Sequence, residues 1–213
     1  MPPAKEFVRT VIKYDGTKAE LRRDLLAVRS ALTTDDVAAT GAALARRALE
    51  LPELAEAGTV AAYVSVGREP GTRALLEALR RRGVRVLLPV LLEDNDLDWA
   101  VYEGPDRLVR AGRGLFEPGG PRLGAEAVTS ADVVLLPGLA VDANGVRLGR
   151  GGGSYDRVLA RLAAAGAAPP LVVLLYDGEV LGEVPAEPHD RAVDAVVTPS
   201  GVRRFSPPPR PFP

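Results

Sequence analysis

The sequence contains no cysteine. Disulfides, thiolate metal sites and cysteine nucleophiles are thereby excluded. Histidine is nearly absent as well, and the single His189 cannot build a multi-histidine metal centre. A metal here would be a hard cation on oxygen ligands, and Mg²⁺ beside phosphates is the expectation. No charge sign dominates. The 27 lysines and arginines are balanced by 28 acidic residues, so an anion must be met by a local cluster, with no general case for nucleic acid or a membrane surface. Long apolar runs are missing too, and Lys5, Glu6 and Arg9 stand where a signal peptide needs an apolar core. A cytoplasmic, monomeric protein is expected. Its 213 residues, 46% hydrophobic, suffice for one domain with a sizeable core.

There is no Gly-Lys pair, which excludes the P-loop. What the chain has instead is Leu135-Leu136-Pro137-Gly138-Leu139-Ala140-Val141-Asp142, an Ala143-Asn144-Gly145 turn, and then Val146-Arg147-Leu148-Gly149-Arg150-Gly151-Gly152-Gly153-Ser154-Tyr155-Asp156-Arg157. An apolar strand runs through a turn into a glycine run that opens a helix near Ser154. Glycines let a backbone approach a ligand closely, and a helix start presents free N–H groups and partial positive charge. Arg147, Arg150 and Arg157 add full charges. The stretch suits phosphate. It is not the dinucleotide fingerprint, because Ser154 occupies the place of the third glycine. A turn without a ligand is the bland alternative, but it would leave three arginines and an aspartate crowded without a partner.

The rest reads as α/β. Residues 1–16 form an extension. Thr17 and Glu20 have capping-box spacing, and the helix after them carries Leu21, Leu25, Val28 and Leu32 on one stripe and Lys18, Arg22 and Arg29 on another face. Thr33–Asp36 cap a second helix, to about Leu51. Val60–Val66 is a buried strand, Thr72 starts a helix that ends before Gly83, and Val84–Val90 is a strand. That order argues for a parallel sheet with helices on both faces. Leu97–Tyr102 alternates as a half-exposed strand, with Trp99 as core. Asp132–Leu136, Leu171–Tyr176 and Ala192–Thr198 complete the strands, residues 17–200 form the domain, and 201–213 form a proline-rich tail. Ligands of such sheets sit at the carboxyl ends of strands, where Glu69 lies. Thr72 reads equally as helix cap or ligand contact, and Lys18 and Arg22, four apart, either form a solvated basic face or reach one polyphosphate.

The segment Pro137-Gly138-Leu139-Ala140-Val141-Asp142 with Gly145-Val146-Arg147-Leu148-Gly149-Arg150-Gly151-Gly152-Gly153-Ser154-Tyr155-Asp156-Arg157-Val158-Leu159 resembles the signature of the 5-formyltetrahydrofolate cyclo-ligase family. Lys18-Ala19-Glu20-Leu21-Arg22, Glu69 with Thr72, and Gly114-Leu115-Phe116-Glu117-Pro118 resemble its other elements, so the likeness spans about 18–199. One departure is Ser154, where the family usually has an aromatic. The resemblance implies the fold class shared with ribose-phosphate isomerase and glucosamine-phosphate deaminase. It also implies ATP-dependent closure of 5-formyltetrahydrofolate to 5,10-methenyltetrahydrofolate. On that reading Lys18, Arg22 and Arg147 through Tyr155 (Leu148, Gly149, Arg150, Gly151, Gly152, Gly153 and Ser154 between them) bind ATP. Glu69, with Arg150 and Gly151–Gly153, binds the folate; Arg150 and Tyr155 are the catalytic candidates; Asp156 and Asp194 organise Mg²⁺. Phe116 anchors its loop, and His189 makes a structural hydrogen bond. A phosphometabolite-sensing module and a phosphosugar isomerase are the alternatives for this architecture.

Overall fold

The computed structural model describes residues 16–187 and 190–205. His189, most of the N-terminal extension and residues 206–213 lie outside these.

Helix α1 (Lys18–Ser30) begins on the expected capping box: the Thr17 hydroxyl accepts from the Glu20 amide, and the Glu20 carboxylate accepts from the Thr17 amide. Thr33 and Asp36 form the same reciprocal cap for α2 (Thr34–Ala48). The chain then breaks into a short α3 (Pro52–Glu56), with proline at the first helical position, where its missing N–H costs nothing. Strand β1 (Thr59–Ala61), α4 (Arg73–Arg81), β2 (Arg85–Leu91) and β3 (Leu97–Val101) follow. A two-stranded flap, β4 (Leu108–Arg110) and β5 (Phe116–Pro118), precedes β6 (Val133–Pro137). A small hairpin, β7 (Ala140–Val141) and β8 (Arg147–Leu148), leads through the glycine run into α5 (Ser154–Ala164), and β9 (Leu171–Leu174), β10 (Ala195–Thr198) and β11 (Gly201–Arg204) close the order.

The main sheet has seven strands in the order β11-β10-β9-β6-β1-β2-β3. Its β10-β9-β6-β1-β2 run is parallel and its two edge strands are antiparallel. Alternation distributes each strand between two cores. Val60, Ala62, Val133 and Leu135 pack under α2, α3 and α4, while Ala61, Val134, Leu136 and Trp99 pack under α5. Helices thus cover both faces, as the α/β reading requires. Leu21, Leu139, Ala140, Leu148 and Val184 form a third cluster that seats α1 on the β7–β8 hairpin.

Four expectations shift. Strand β1 stops at Ala61 instead of running to Val66, because Thr72 supplies the partners that a neighbouring strand would have given. Its hydroxyl accepts from the Ser65 amide at 2.9 Å and donates to the Tyr63 carbonyl at 2.8 Å, while its amide donates to Ser65 Oγ at 3.1 Å. Tyr63, Val64 and Val66 are thereby released to wall a cavity. On α1, Val28 is exposed and Arg29 takes its place in the buried stripe with Leu21. The first part of the expected tail, Gly201–Arg204, pairs with β10 as an edge strand. Leu148 is core, 1% exposed.

Candidate active site

A cavity of about 480 Å³ lies along the carboxyl ends of β6, β1 and β2. Four segments wall it. Tyr63, Val64, Val66 and Glu69 come from the chain beyond β1, and Pro137 and Gly138 from the end of β6. The glycine run and the start of α5 form one side, and the flap with the β2–β3 turn the other.

The loop bearing Glu69 is seated by backbone contact. A Cβ added at Gly41 of α2 would stand 2.9 Å from the Gly71 carbonyl oxygen, so α2 and this loop touch with no side chain between them. Glu69 is buried. One carboxylate oxygen accepts from the Val66 amide at 2.8 Å, and the other accepts from Arg150 Nη1 at 3.1 Å. The glycine run and the carboxylate after β1, 81 residues apart, therefore meet in one place.

The glycine run takes its shape from Gly151 and Gly153, at φ 90° and 75°. Gly152 has an ordinary φ and room for a Cβ. Gly153 caps α5 without any side-chain hydrogen bond, so the first-turn amides and the positive end of the helix face the cavity uncapped by a side chain. Arg147 is buried beneath. It donates to the Pro137 carbonyl at 3.0 Å and to Asp156 at 3.2 Å, and its Nε has no partner among the described residues. Burial pulls this guanidinium below its ordinary pKa, against the pull of Asp156 and Tyr155. The Tyr155 hydroxyl is buried without a hydrogen bond among the described residues, and burial, then Glu69, pushes its pKa up. Burial pushes Tyr63 up as well. Both phenols stay protonated at neutral pH.

Several expected residues stand elsewhere. Asp194 lies at the amino end of β10, where its carboxylate accepts from the Leu171 amide at 2.8 Å and does not line the cavity. It is not beside Asp156, because the parallel register places the two at opposite ends of the strands. Among the described residues no group of three His, Asp or Glu side chains could hold a metal ion. Lys18 and Arg22 take different partners. The Lys18 ammonium contacts Glu187 at 2.8 Å and Asp190 at 2.7 Å. Burial would lower its pKa, but these two carboxylates outweigh it and the net shift is upward. Arg22 donates to the Gly149 carbonyl at 2.9 Å and packs against Gly151 from outside the cavity. Leu148 contributes packing in the third cluster. Ser154 and Asp156 do line the cavity, and Thr72 acts as the clasp described above. Phe116 lines it from the flap with Arg73 stacked 4.7 Å from its ring centre, while Glu117 accepts from the Leu91 amide.

One pair was not read from the sequence. Arg29 of α1 and Glu179 are 3% and 7% exposed and joined by two hydrogen bonds of 2.7 and 2.8 Å. Arg29 also donates to the Gly138 carbonyl at 2.7 Å, and Glu179 accepts from the Tyr176 amide. The Tyr176 hydroxyl in turn donates to the carbonyl of Arg68, next to Glu69. This junction ties α1, the end of β6 and the Glu69 loop together. Desolvation would lower the pKa of Arg29, but Glu179 more than offsets it. The available signal was the spacing 21, 25, 29, 32, which puts an arginine within an apolar stripe.

Residues 15–199 match the 5-formyltetrahydrofolate cyclo-ligase family. A 5-formyltetrahydrofolate cyclo-ligase of Mycolicibacterium smegmatis is 50% identical over 146 residues, which cover 66% of this chain and 73% of that one. The enzyme of the same name from Escherichia coli is 35% identical over 176 residues, 82% of this chain and 96% of that one. The solved structure of Aquifex aeolicus 5,10-methenyltetrahydrofolate synthetase superposes with a TM-score of 0.75 at 27% identity, covering 92% of this chain and 96% of that one.

Proposed function

The chain belongs to the 5-formyltetrahydrofolate cyclo-ligase family, a family of ligases, and on that premise we propose that it closes 5-formyltetrahydrofolate to 5,10-methenyltetrahydrofolate at the expense of ATP, releasing ADP and phosphate. The chemical difficulty is the formyl oxygen, a poor leaving group. Transfer of the γ-phosphoryl group to that oxygen makes it a good one; N10 then attacks the formyl carbon, and the C–O bond breaks with loss of phosphate. Such a reaction asks the protein for positioning and charge stabilisation more than for covalent work. That agrees with a site lacking any cysteine and built of arginine, glycine and carboxylate.

The observation that carries this reading is the 3.1 Å contact between Arg150 and Glu69. It brings the glycine run next to Glu69, which supports reading the run as the phosphate-binding element and Glu69 as the acceptor for the pterin N–H groups, side by side as phosphoryl transfer between the two ligands requires. The amides of Gly151–Gly153 and the α5 N-terminus receive the phosphates. Arg150, with its side chain 54% exposed, is free to turn from Glu69 toward the transferred group. The protonated Tyr155 hydroxyl donates to a substrate oxygen. Arg22 fixes the loop from behind, and Lys18 holds Glu187 and Asp190.

Mg²⁺ belongs to this proposal only as a companion of ATP. The cavity offers it Asp156, which Arg147 already engages, so phosphates and water would be its main ligands, and no step is assigned to it. The test is the absorbance of methenyltetrahydrofolate formed from 5-formyltetrahydrofolate with and without ATP. Product that requires ATP supports the proposal; product without ATP, or none with it, overturns it.

A further inference from the structure

Two residues on the flap side of the cavity have no part in the reaction above. Among the described residues, Asn95 and Arg113 are the non-glycine positions with left-handed backbone, at φ 65° and 59°. They bond to each other, Arg113 Nη1 donating to Asn95 Oδ1 at 2.8 Å, and both line the cavity that holds Glu69 and the glycine run. Asparagine adopts this conformation readily in turns, but arginine does not, and such outliers gather at ligand clamps. The neutral Asn95 orients the guanidinium without neutralising it. Among the described residues Arg113 makes no ion pair, and it keeps donors for a second acceptor.

Its place in the sheet gives the direction. Across the order β6-β1-β2-β3, Gly138 ends β6, the Glu69 loop follows β1, and the Asn95 turn joins β2 to β3, while the glycine run follows the β7–β8 hairpin. Neighbouring strands lie about 4.8 Å apart. The Asn95 turn therefore stands one to two strand spacings, roughly 5–10 Å, from the end of β1, the strand that the Glu69 loop follows. Pro89, Leu91, Leu115 and Phe116 line the cavity on this side and make it apolar. The cavity wall thus passes from Gly138 through the Glu69 loop to the Asn95 turn, where the apolar residues and Arg113 stand.

We propose that Arg113, oriented by Asn95, receives a carboxylate of the glutamate portion of the folate, with the apolar stretch covering the aromatic spacer that joins it to the pterin. This rests on the folate reading of the site. A nucleotide phosphate is the other anion that a guanidinium here would accept.

The test compares the intact enzyme with Arg113→Ala on two substrates, 5-formyltetrahydrofolate and 5-formyltetrahydropteroate, which lacks the glutamate. Alanine adopts the same backbone at no greater strain than arginine and removes one exposed hydrogen bond, so the fold is retained. The expected result is a KM for 5-formyltetrahydrofolate raised about tenfold, the loss of one charge-assisted contact, with kcat, the KM for ATP and all constants for the pteroate unchanged. An unchanged KM for the folate overturns the inference. So does an equal rise for both substrates, which would make Arg113 a wall residue, or a rise confined to ATP, which would give it to the nucleotide. If the intact enzyme forms no methenyl product from 5-formyltetrahydrofolate, the reaction itself is wrong and this inference falls with it.

Discussion

At the amino edge of the parallel sheet, Asp132 and Asp194 turn their carboxylates back onto the chain. Asp132 accepts from the amides of Gly58 and Thr59, and Asp194 from that of Leu171, so each stitches the start of one strand to its neighbour. At the carboxyl edge, Glu69 accepts one amide from its own turn and gives its other oxygen to Arg150 across the cavity. The residue chemistry is nearly the same, but the surroundings differ. The amino-edge carboxylates are exposed and their partners are backbone, so water and the strand starts satisfy them whether or not a ligand arrives. Glu69 is buried, and one of its two oxygens is held by a side chain that is itself more than half exposed. Whether a carboxylate is held by backbone or reaches a side chain across a cavity therefore follows from the edge it occupies, which the residue type alone does not reveal.

The largest effect should come from the junction that fixes the carboxyl edge. Removing one member of the buried Arg29–Glu179 pair, as in Glu179→Met, leaves an uncompensated charge at a typical cost of about 3–5 kcal/mol. For a domain of this size that is a fall in melting temperature of roughly 6–20 °C. The double variant Arg29→Met with Glu179→Met should recover most of the melting temperature, because apolar replacement of both partners is often neutral. It should not recover turnover, since Gly138 and the Glu69 loop lose their common anchor. Full recovery of both would reduce the pair to packing.

Next comes Glu69→Gln. A tenfold or greater loss of 5-formyltetrahydrofolate affinity is expected, with ATP affinity nearly intact and little change in melting temperature, measured by titration calorimetry and thermal unfolding. Loss of ATP affinity alone would place Glu69 on the nucleotide side. The mirror experiment is Asp194→Ala at the opposite edge: about 1 kcal/mol of stability lost with its backbone hydrogen bond, and unchanged kinetics at every Mg²⁺ concentration. A raised Mg²⁺ requirement in that variant would return Asp194 to the site.

The smallest effect concerns Asp96, next to Asn95 in the β2–β3 turn. Its hydrogen bonds to Arg161 of α5 hold its pKa below the ordinary 3.8 despite some desolvation. A depressed folded pKa means stabilisation present above the unfolded value and lost as pH falls through the folded one. Asp96→Asn should therefore unfold slightly earlier than the intact protein at pH 7, by roughly 0.2–1 kcal/mol, and the two should converge under acid conditions below 3.8. Parallel curves at all pH values would show that the pair contributes no linkage.

The legible parts were those with local causes. Capping boxes at Thr17 and Thr33, the strand–helix alternation and the glycine run all follow from short-range chemistry, and the structure bears out the α/β order. Glu69 was legible because its position after a buried strand carries a topological rule. Asp194 stands at the amino end of β10, because a place in the chain does not tell which end of a strand a residue occupies. Lys18 and Arg22 have helical spacing toward one ligand, yet their partners are Glu187 and Asp190 for the one and Gly149 for the other, contacts of more than 120 residues' separation that no local pattern announces. Arg29 hid for the opposite reason: a charged residue inside an apolar stripe was assigned to the face of its fellow arginines. Asn95 and Arg113 had no signal beyond the glycines beside Arg113.

Arg22 holds the glycine run by the carbonyl of Gly149, on the side away from the cavity. Such a tether moves an entropy loss in time. A glycine-rich loop left free would have to surrender its conformations when an anion arrives, and binding would be weaker by that amount. Held by α1, it gives them up when the chain folds, where the packing of Leu21 and its cluster offsets the loss. The loop's shape, with its left-handed turns at Gly151 and Gly153, is then set before any ligand is present, and the helix that keeps it so does so without entering the cavity.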